Sequence, residues 1–501
     1  MDASVSNAAL AARYDTIAYA ALPHAATHPD RIASVATFLG HPAADPAHCR
    51  VLEVGCNDGS NLIPMAVTLP HASFVGCDLS SSAIGAGRAT VAALGLANVT
   101  LLCEDLAGLD PSLGPFDFIV AHGVYSWVPA HVRDALLALA RRSLAPDGVM
   151  FVSFNVLPGC RVRQAAWEMV HHHVDRIVDP RARLAAARAI ARLIAEGGAS
   201  QHASDDAVRA ELRSMAEHTD SQLFHDDLAV PNDPVYFGEF VAHAARHGLA
   251  YLAEAELHTM SAAGISAAAR QFLSTLEPLA REQYLDFVRL RRFRQSLLRR
   301  ADATPSRALH AERLGAMHVS ADASLLRAHD AGKLPDMARE LDASAVEGAA
   351  VRRLLEELVR RAPAALPVAE VRALLAGRAA AEPPRPLETL LRDAYVGGVV
   401  NLHLHPPAVA STVSERPRAS GLARWQAAHQ QDLTNLLHTR IRVPDPNARQ
   451  LLQLLDGTRT RSELVVATEA ALPAAVRPQA AGFVDHALVQ FARLGLLAAA
   501  G

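Results

Sequence analysis

An α/β fold built on a parallel sheet, carrying a helical insertion and two further C-terminal units, is predicted by three features. Apolar strand-like runs alternate with segments of helical period between residues 50 and 155. A glycine-rich turn, VLEVGCNDGSNLIP, follows the first of those runs. The pattern then becomes helical and rich in alanine and arginine from about residue 165 to 215. Strands separated by helices at this spacing imply a parallel sheet wound by right-handed crossovers, with both faces covered.

The strand candidates are RVLEVG, SFVGCDL, VTLLCED, FDFIVAHG and GVMFVSFN. SSAIGAGRATVAALG and HVRDALLALARRSLAPDG supply helices between them. The stretch PNDPVYFGEFVAHAARHGLAYLAEAEL reads as loop, helix and strand, and RLRRFRQSLLRR leads into one more strand; both could complete the same sheet. Residues 302–410 hold short mixed elements broken by proline, ending in the linker-like HPPAVASTVSERPRASG. Beyond it, NARQLLQLLDGTRTRSELV and QAAGFVDHALVQFARLGLLAAA suggest a small winged-helix-like unit. The expected organisation is a core over 1–164, an insertion over 165–215, completion of the sheet over 216–301, a middle domain over 302–410 and a C-terminal domain over 411–501.

Half of the 501 residues are hydrophobic and the net charge is -4, so several cores can form and no global basic field points to nucleic acid. The most basic stretch, RLRRFRQSLLRR, falls in an expected strand, which argues against a nucleic-acid patch. No apolar run reaches the roughly 18 residues of a membrane span, and the N-terminus lacks a secretory pattern, so a cytoplasmic protein is expected. The five cysteines lack paired motif spacing and read as reduced thiols. Consecutive residues on a helix point about 100° apart, so His171, His172 and His173 cannot converge on one ion, and no metal site is expected.

The turn carries the chemistry. Its spacing, Glu53-x-Gly55-x-Asn57-x-Gly59, departs from a dinucleotide fingerprint at its middle position. Asparagine tolerates left-handed backbone geometry, so the turn survives, but its side chain would crowd a pyrophosphate. Glu53 suits a ligand carrying an amine. Asp78, ending the second strand, is placed to accept bonds from ribose hydroxyls. Glu104 and Asp105, ending the third, are placed to meet an adenine amine. A ligand with an amino acid, a ribose and an adenine but no phosphate is S-adenosylmethionine, the expected cofactor.

The strings ARYDTIAYAALPHAATHPDRIASVATFLG, VLEVGCNDGSNLIP, FDFIVAHGVYSWVP, VSFNVLPG, LFHDDLAVPNDPVYFGEF and RRFRQSLL occur in order through the first 300 residues. In these the chain resembles the class I S-adenosylmethionine-dependent methyltransferases that carry a methyltransferase regulatory domain, and is similar to the rickettsial protein lysine methyltransferases. That resemblance implies a Rossmann-like cofactor domain, a dimerisation insert, a middle domain and a C-terminal domain. It also implies cofactor-binding roles for Tyr14, Glu53, Gly55, Cys56, Asn57, Gly59, Asp78, Leu79, Glu104, Asp105, Leu106, His122 and Gly123. Tyr14, Asp15 and Tyr19 match a segment that folds over the cofactor in this branch, while His122, Gly123 and Val124 line the methyl-transfer face.

The candidate catalytic residues are His122, Tyr125, Trp127, Asn155 and Tyr19. Tyr125, Trp127 and Tyr19 would cage an incoming amine through cation–π contacts, His122 would take its proton, and Asn155 would offer a carbonyl. Packing at a turn is an equally good reading of Tyr125, Trp127 and Asn155, and a structural role is the better reading of His122. The expected activity is methylation of lysine side chains in a protein substrate by a homodimer. The alternatives are a small-molecule or natural-product methyltransferase and a cofactor-sensing binding protein.

Overall fold

The computed structural model describes residues 16–17, 19, 22–302, 306–334, 336–337, 348–376, 386–471 and 477–499. Seven strands form one sheet: β1 (Arg50–Val54), β2 (Ser73–Asp78), β3 (Val99–Cys103), β4 (Phe116–Ala121), β5 (Leu144–Asn155), β6 (Leu249–Glu254) and β7 (Phe293–Arg300). Their spatial order is β3-β2-β1-β4-β5-β7-β6. The first five run parallel, while β7 is antiparallel to both β5 and β6. The order reverses at β1, between β2 and β4, which opens a crevice beyond the carboxyl ends of those strands, where ligands of such sheets bind.

Successive side chains of each strand enter opposite cores, as the two-residue period requires. Val51, Phe118, Val120 and Phe151 join one cluster, which continues through the helix Pro29–Phe38 into Leu314, Val319, Leu355 and Leu391. Leu52, Val54, Ile119, Val152 and Phe154 join the other, packed on Leu136, Leu137 and Phe240. The middle region therefore shares a core with the sheet instead of standing apart. It contributes its own three-stranded sheet, β10-β8-β9, from β8 (His318–Ala321), β9 (Leu366–Pro367) and β10 (Val400–His403).

Helices Arg161–Val174, Pro180–Glu196 and Ala203–Glu217 make the insertion between β5 and β6. Ala166, Ala187, Ala191 and Ala216 are buried among them, so the alanine-rich composition serves close helix approach. His172 and His173 face solvent, and His171 bonds the carbonyl oxygen of Asp227. The C-terminal domain packs its own core, around Leu452, Leu464, Val484 and Leu488, beside the hairpin of β11 (Asp432–Thr434) and β12 (Arg440–Arg442). Among the described residues no helix is long and apolar enough to cross a membrane.

Candidate active site

The carboxyl ends of β1 to β5 converge on one cavity of about 410 Å³. The turn after β1 is made of left-handed positions, with φ of 70° at Gly55, 51° at Asn57 and 76° at Gly59. A Cβ at Gly55 would sit 2.8 Å from Val124 Cγ2, so this turn and the one after β4 touch closely. Asn57 adopts the left-handed conformation, stabilised locally by its Oδ1, which accepts the Asp58 N–H at 2.6 Å. Asp78 ties the turn to β2: its carboxylate accepts the N–H of Asn57 at 2.9 Å and that of Ser80 at 2.9 Å.

Glu53, Gly55, Cys56, Asn57, Asp78 and Leu79 line the cavity, as do Glu104, Asp105, Leu106, His122 and Gly123 beyond them. Gly59 does not; it turns inward, where a Cβ would lie 3.1 Å from Ile63, so its role is helix–turn packing. Tyr14, with Asp15, lies outside the described residues.

Glu53 is 4 % exposed, and burial pushes its carboxyl up to about 8, partly opposed by the hydrogen bond from Asn61. Its Oε1 accepts from Asn61 Nδ2 at 2.7 Å, while its buried Oε2 has no partner. A carboxyl oxygen so placed calls for a ligand donor. Beside Glu53 the cradle holds the acids Asp78, Glu104 and Asp105; this set repels a pyrophosphate and suits an amine, hydroxyls and a sulfonium, with Glu53 ionising against a cationic amine. The residues present therefore fit S-adenosylmethionine and would hold its amino acid through Glu53 and its nucleoside through Asp78 and Asp105.

His122 is packed against His24, ring centroids 3.7 Å apart. Burial drops His122 to about 3 and His24 to about 4, so both rings are neutral at physiological pH. Trp127, Asn155 and Tyr19 reach the cavity. Tyr125 does not: the short turn Tyr125–Trp127 sends its ring into the sheet core, against Phe240 and Phe154. Its hydroxyl bonds His243 Nδ1 at 2.7 Å, so the expected aromatic cage lacks this member.

The rest of the wall comes from segments that the sequence reading did not single out as site residues. A π-helical turn, Leu223–Asp227, puts His225 and Asp226 into the cavity. Such turns are frequent at functional sites. Desolvation, then the neighbouring Asp227 charge, pushes Asp226 up to about 6. Burial would raise Asp227 too, but His218 at 2.6 Å and Arg163 at 2.9 Å hold it below the usual carboxylate range. His225 Nε2 bonds the Ile17 carbonyl at 2.6 Å, and its ring meets Tyr19 edge-on, fastening Ile17 and Tyr19 to this wall. Arg163, Arg292 and Phe293 complete this side.

Comparison with known proteins follows the same division. A methyltransferase-domain model matches residues 52–150, a predicted methyltransferase regulatory domain matches 219–300, and a PKMT C-terminal winged-helix domain matches 415–496. The Rickettsia prowazekii protein RP789 is 35 % identical over 289 residues, 57 % of this chain but only 52 % of that one, so the match spans about half its length. RP028 from the same organism is 30 % identical over 236 residues, 46 % of this chain and 94 % of that one. The structure of PKMT2 from Rickettsia typhi superposes with a TM-score of 0.81 at 23 % identity, covering 96 % of this chain and 100 % of that one, which establishes a shared fold. PKMT2 has also been solved in complex with AdoHcy.

Proposed function

We propose that this chain, which belongs to the class I S-adenosylmethionine-dependent methyltransferases with a regulatory domain, methylates lysine side chains of protein substrates. The observation that carries this reading is a single cavity shared by an acidic cradle and a second wall with Tyr19, Trp127 and Asp226. Aromatic faces beside a carboxyl group recognise a cationic amine. The PKMT winged-helix match supports a protein lysine acceptor.

When bound, the cofactor supplies a methyl group on a sulfonium, an electrophile that leaves behind a neutral thioether. A lysine acceptor must first lose a proton from a group that titrates near 10.4 in water. Asp226 receives the incoming ammonium and takes that proton, directly or through water, and the aromatic side chains hold the amine in line. Desolvation by the cavity walls and the approach of the sulfonium both favour the neutral amine. With the cofactor held by Glu53, Asp78 and Asp105, the neutral amine would lie in line with the methyl group, which the sulfonium would give up as it becomes a thioether. Such positioning is worth about 7–11 kcal/mol when orientation is near ideal. His122, neutral and enclosed, shapes the methyl-transfer face in this scheme.

The test is incubation of the full chain with methyl-labelled cofactor and a fractionated host lysate, with Asp226→Asn as the comparison. Lysine residues of a discrete protein should gain 14 Da per methyl, and the variant should lose most turnover while still binding cofactor. Label confined to small molecules would overturn the protein-substrate reading. The enzyme has one lysine of its own, Lys333, so self-labelling can be located at once. The homodimer is part of the same proposal, with Val178 and Leu193 as exposed apolar side chains of the insertion. Light scattering should give twice the 53.3 kDa chain mass, and a monomer removes that part.

A further inference from the structure

The tip of the β11–β12 hairpin reaches out of the C-terminal domain and ends beside the cofactor turn. Asn435 knits that tip together. Its Oδ1 accepts from the backbone N–H of Leu437 at 3.1 Å and of Thr439 at 2.9 Å, and its Nδ2 donates to the Leu494 carbonyl at 2.8 Å. His438 projects from the tip in the left-handed conformation, φ 58°, and is 4 % exposed. Its Nε2 lies 2.9 Å from Asn61 Oδ1, a bond spanning 377 positions of sequence.

Asn61 stands at the start of the helix Leu62–Thr68, which follows the cofactor turn, yet its side chain makes no capping bond. Its Nδ2 donates to Glu53 Oε1 at 2.7 Å and to Thr27 Oγ1 at 3.0 Å, while its Oδ1 accepts the His24 N–H at 2.9 Å and the His438 Nε2–H. The amide is therefore orientated by donors on one side and acceptors on the other. A flipped amide would set its N–H against the fixed backbone N–H of His24 and its oxygen against the Glu53 carboxylate that a bound amine requires. Burial holds His438 in its neutral form, and facing Asn61 Oδ1 the tautomer that bonds is the one with its proton on Nε2. Glu53 in turn presents its unpartnered Oε2 within the wall of the cofactor cavity.

We propose that His438 is a positioning residue for cofactor binding: the docked hairpin orientates Asn61, and Asn61 orientates Glu53. The C-terminal domain thereby sets cofactor affinity without touching the cofactor. Coupling of this kind is reciprocal, so an occupied cradle also holds the hairpin down. The inference rests on the identity of the cofactor and is independent of which acceptor is methylated.

The experiment uses the full chain and its His438→Leu and His438→Gln variants, with S-adenosylhomocysteine as the calorimetric probe. Leucine keeps the volume and removes the donor, whereas glutamine returns an N–H at about the position of Nε2. His438→Leu should bind the probe about 3- to 10-fold more weakly, the loss expected for one buried hydrogen bond at one remove, and His438→Gln should stay within about twofold of the parent. The probe should slow amide exchange of residues 435–439 in the parent and leave it unchanged in His438→Leu. Equal affinities for parent and His438→Leu overturn the proposal. So does equal weakening in both variants with the same fall in melting temperature, because it reduces the hairpin to mechanical support. A parent that fails to bind the probe overturns the cofactor assignment instead, a distinct result.

Discussion

Arg294 on β7 and Glu53 on β1 are both ionisable side chains buried in one sheet, and they do opposite work. Arg294 is fully enclosed and its partners are complete. Its guanidinium meets Asp286 at 2.9 Å, Glu254 at 2.6 Å and Glu282 at 3.2 Å, and lies 4.0 Å from the Phe237 ring centroid. Glu254 accepts further bonds from Ser296 Oγ and the Gln295 N–H; burial would raise its carboxyl, but Arg294, then Arg291 and the Ser296 bond, hold it low. Glu53 is as deeply buried, yet one of its oxygens has nothing to bond and its carboxyl is pushed up to about 8 by the loss of water. Burial of an ionisable group is common to both. The incomplete partner set marks the group that awaits a ligand, and the complete set marks the group that holds the fold.

Removing each charge tests that division and should give the two largest effects. Arg294→Met leaves three acids facing one another in the interior, and unfolding in urea should show a loss on the order of 3–5 kcal/mol, the range for breaking one side of a buried pair. Glu53→Gln keeps an oxygen for Asn61 and removes the charge. Its stability should match the parent's at acid pH, while affinity for S-adenosylhomocysteine should fall on the order of 10- to 100-fold, as for one hydrogen bond to a charged group, worth about 1.5–3 kcal/mol.

The sign of the pH dependence follows from the same residue. A carboxyl whose folded pKa is raised from 4.5 to about 8 contributes stability below pH 4.5 that is lost as pH rises through about 8. Glu53→Gln lacks that loss and should outlast the unliganded parent at pH 9. Binding of a cationic amine requires Glu53 ionised, so parental affinity should rise between pH 6 and 8 and level off above, with a proton released on binding. A flat profile in the parent, or a Glu53→Gln variant destabilised like Arg294→Met, would erase the contrast.

The legibility of the site in sequence follows the same boundary. Glu53, Asp78, Asp105 and His122 lie within two residues of the carboxyl ends of successive strands of a regular alternation, so one fold rule places them all at one edge. The seven-stranded sheet, the helical insertion and the C-terminal helices were readable for the same reason: each is a run of one hydrophobic period. Asp226, His225, Arg163 and Arg292 come from a π-turn, an insertion helix and a strand entrance that no local pattern connects. His438 is the extreme case, since nothing in LLHTRIR points to Asn61. Tyr125 failed because a three-residue turn in YSW separates two aromatics that a motif shows side by side, and only packing decides which faces the cavity.

The smallest expected effect concerns Asn57, the position where the turn departs from an all-glycine pattern. Besides lining the cavity, it gives Asp78 a backbone N–H, which any residue but proline supplies. The side chain adds one local bond to Asp58. Asn57→Gly therefore trades that bond for easier access to φ 51°, and should change stability by less than about 1 kcal/mol and cofactor affinity by less than about threefold. Asn57→Val forces a β-branched side chain into the left-handed region, at a cost of order 1–3 kcal/mol, and should loosen both the turn and its bond to Asp78. If glycine and valine behaved alike, the backbone geometry of the turn would not be what the cradle depends on. If glycine alone abolished binding, the asparagine side chain would itself touch the ligand. The expected order, asparagine close to glycine and both above valine, places the turn with the structural half of the molecule and leaves Glu53 as the part that answers to the cofactor.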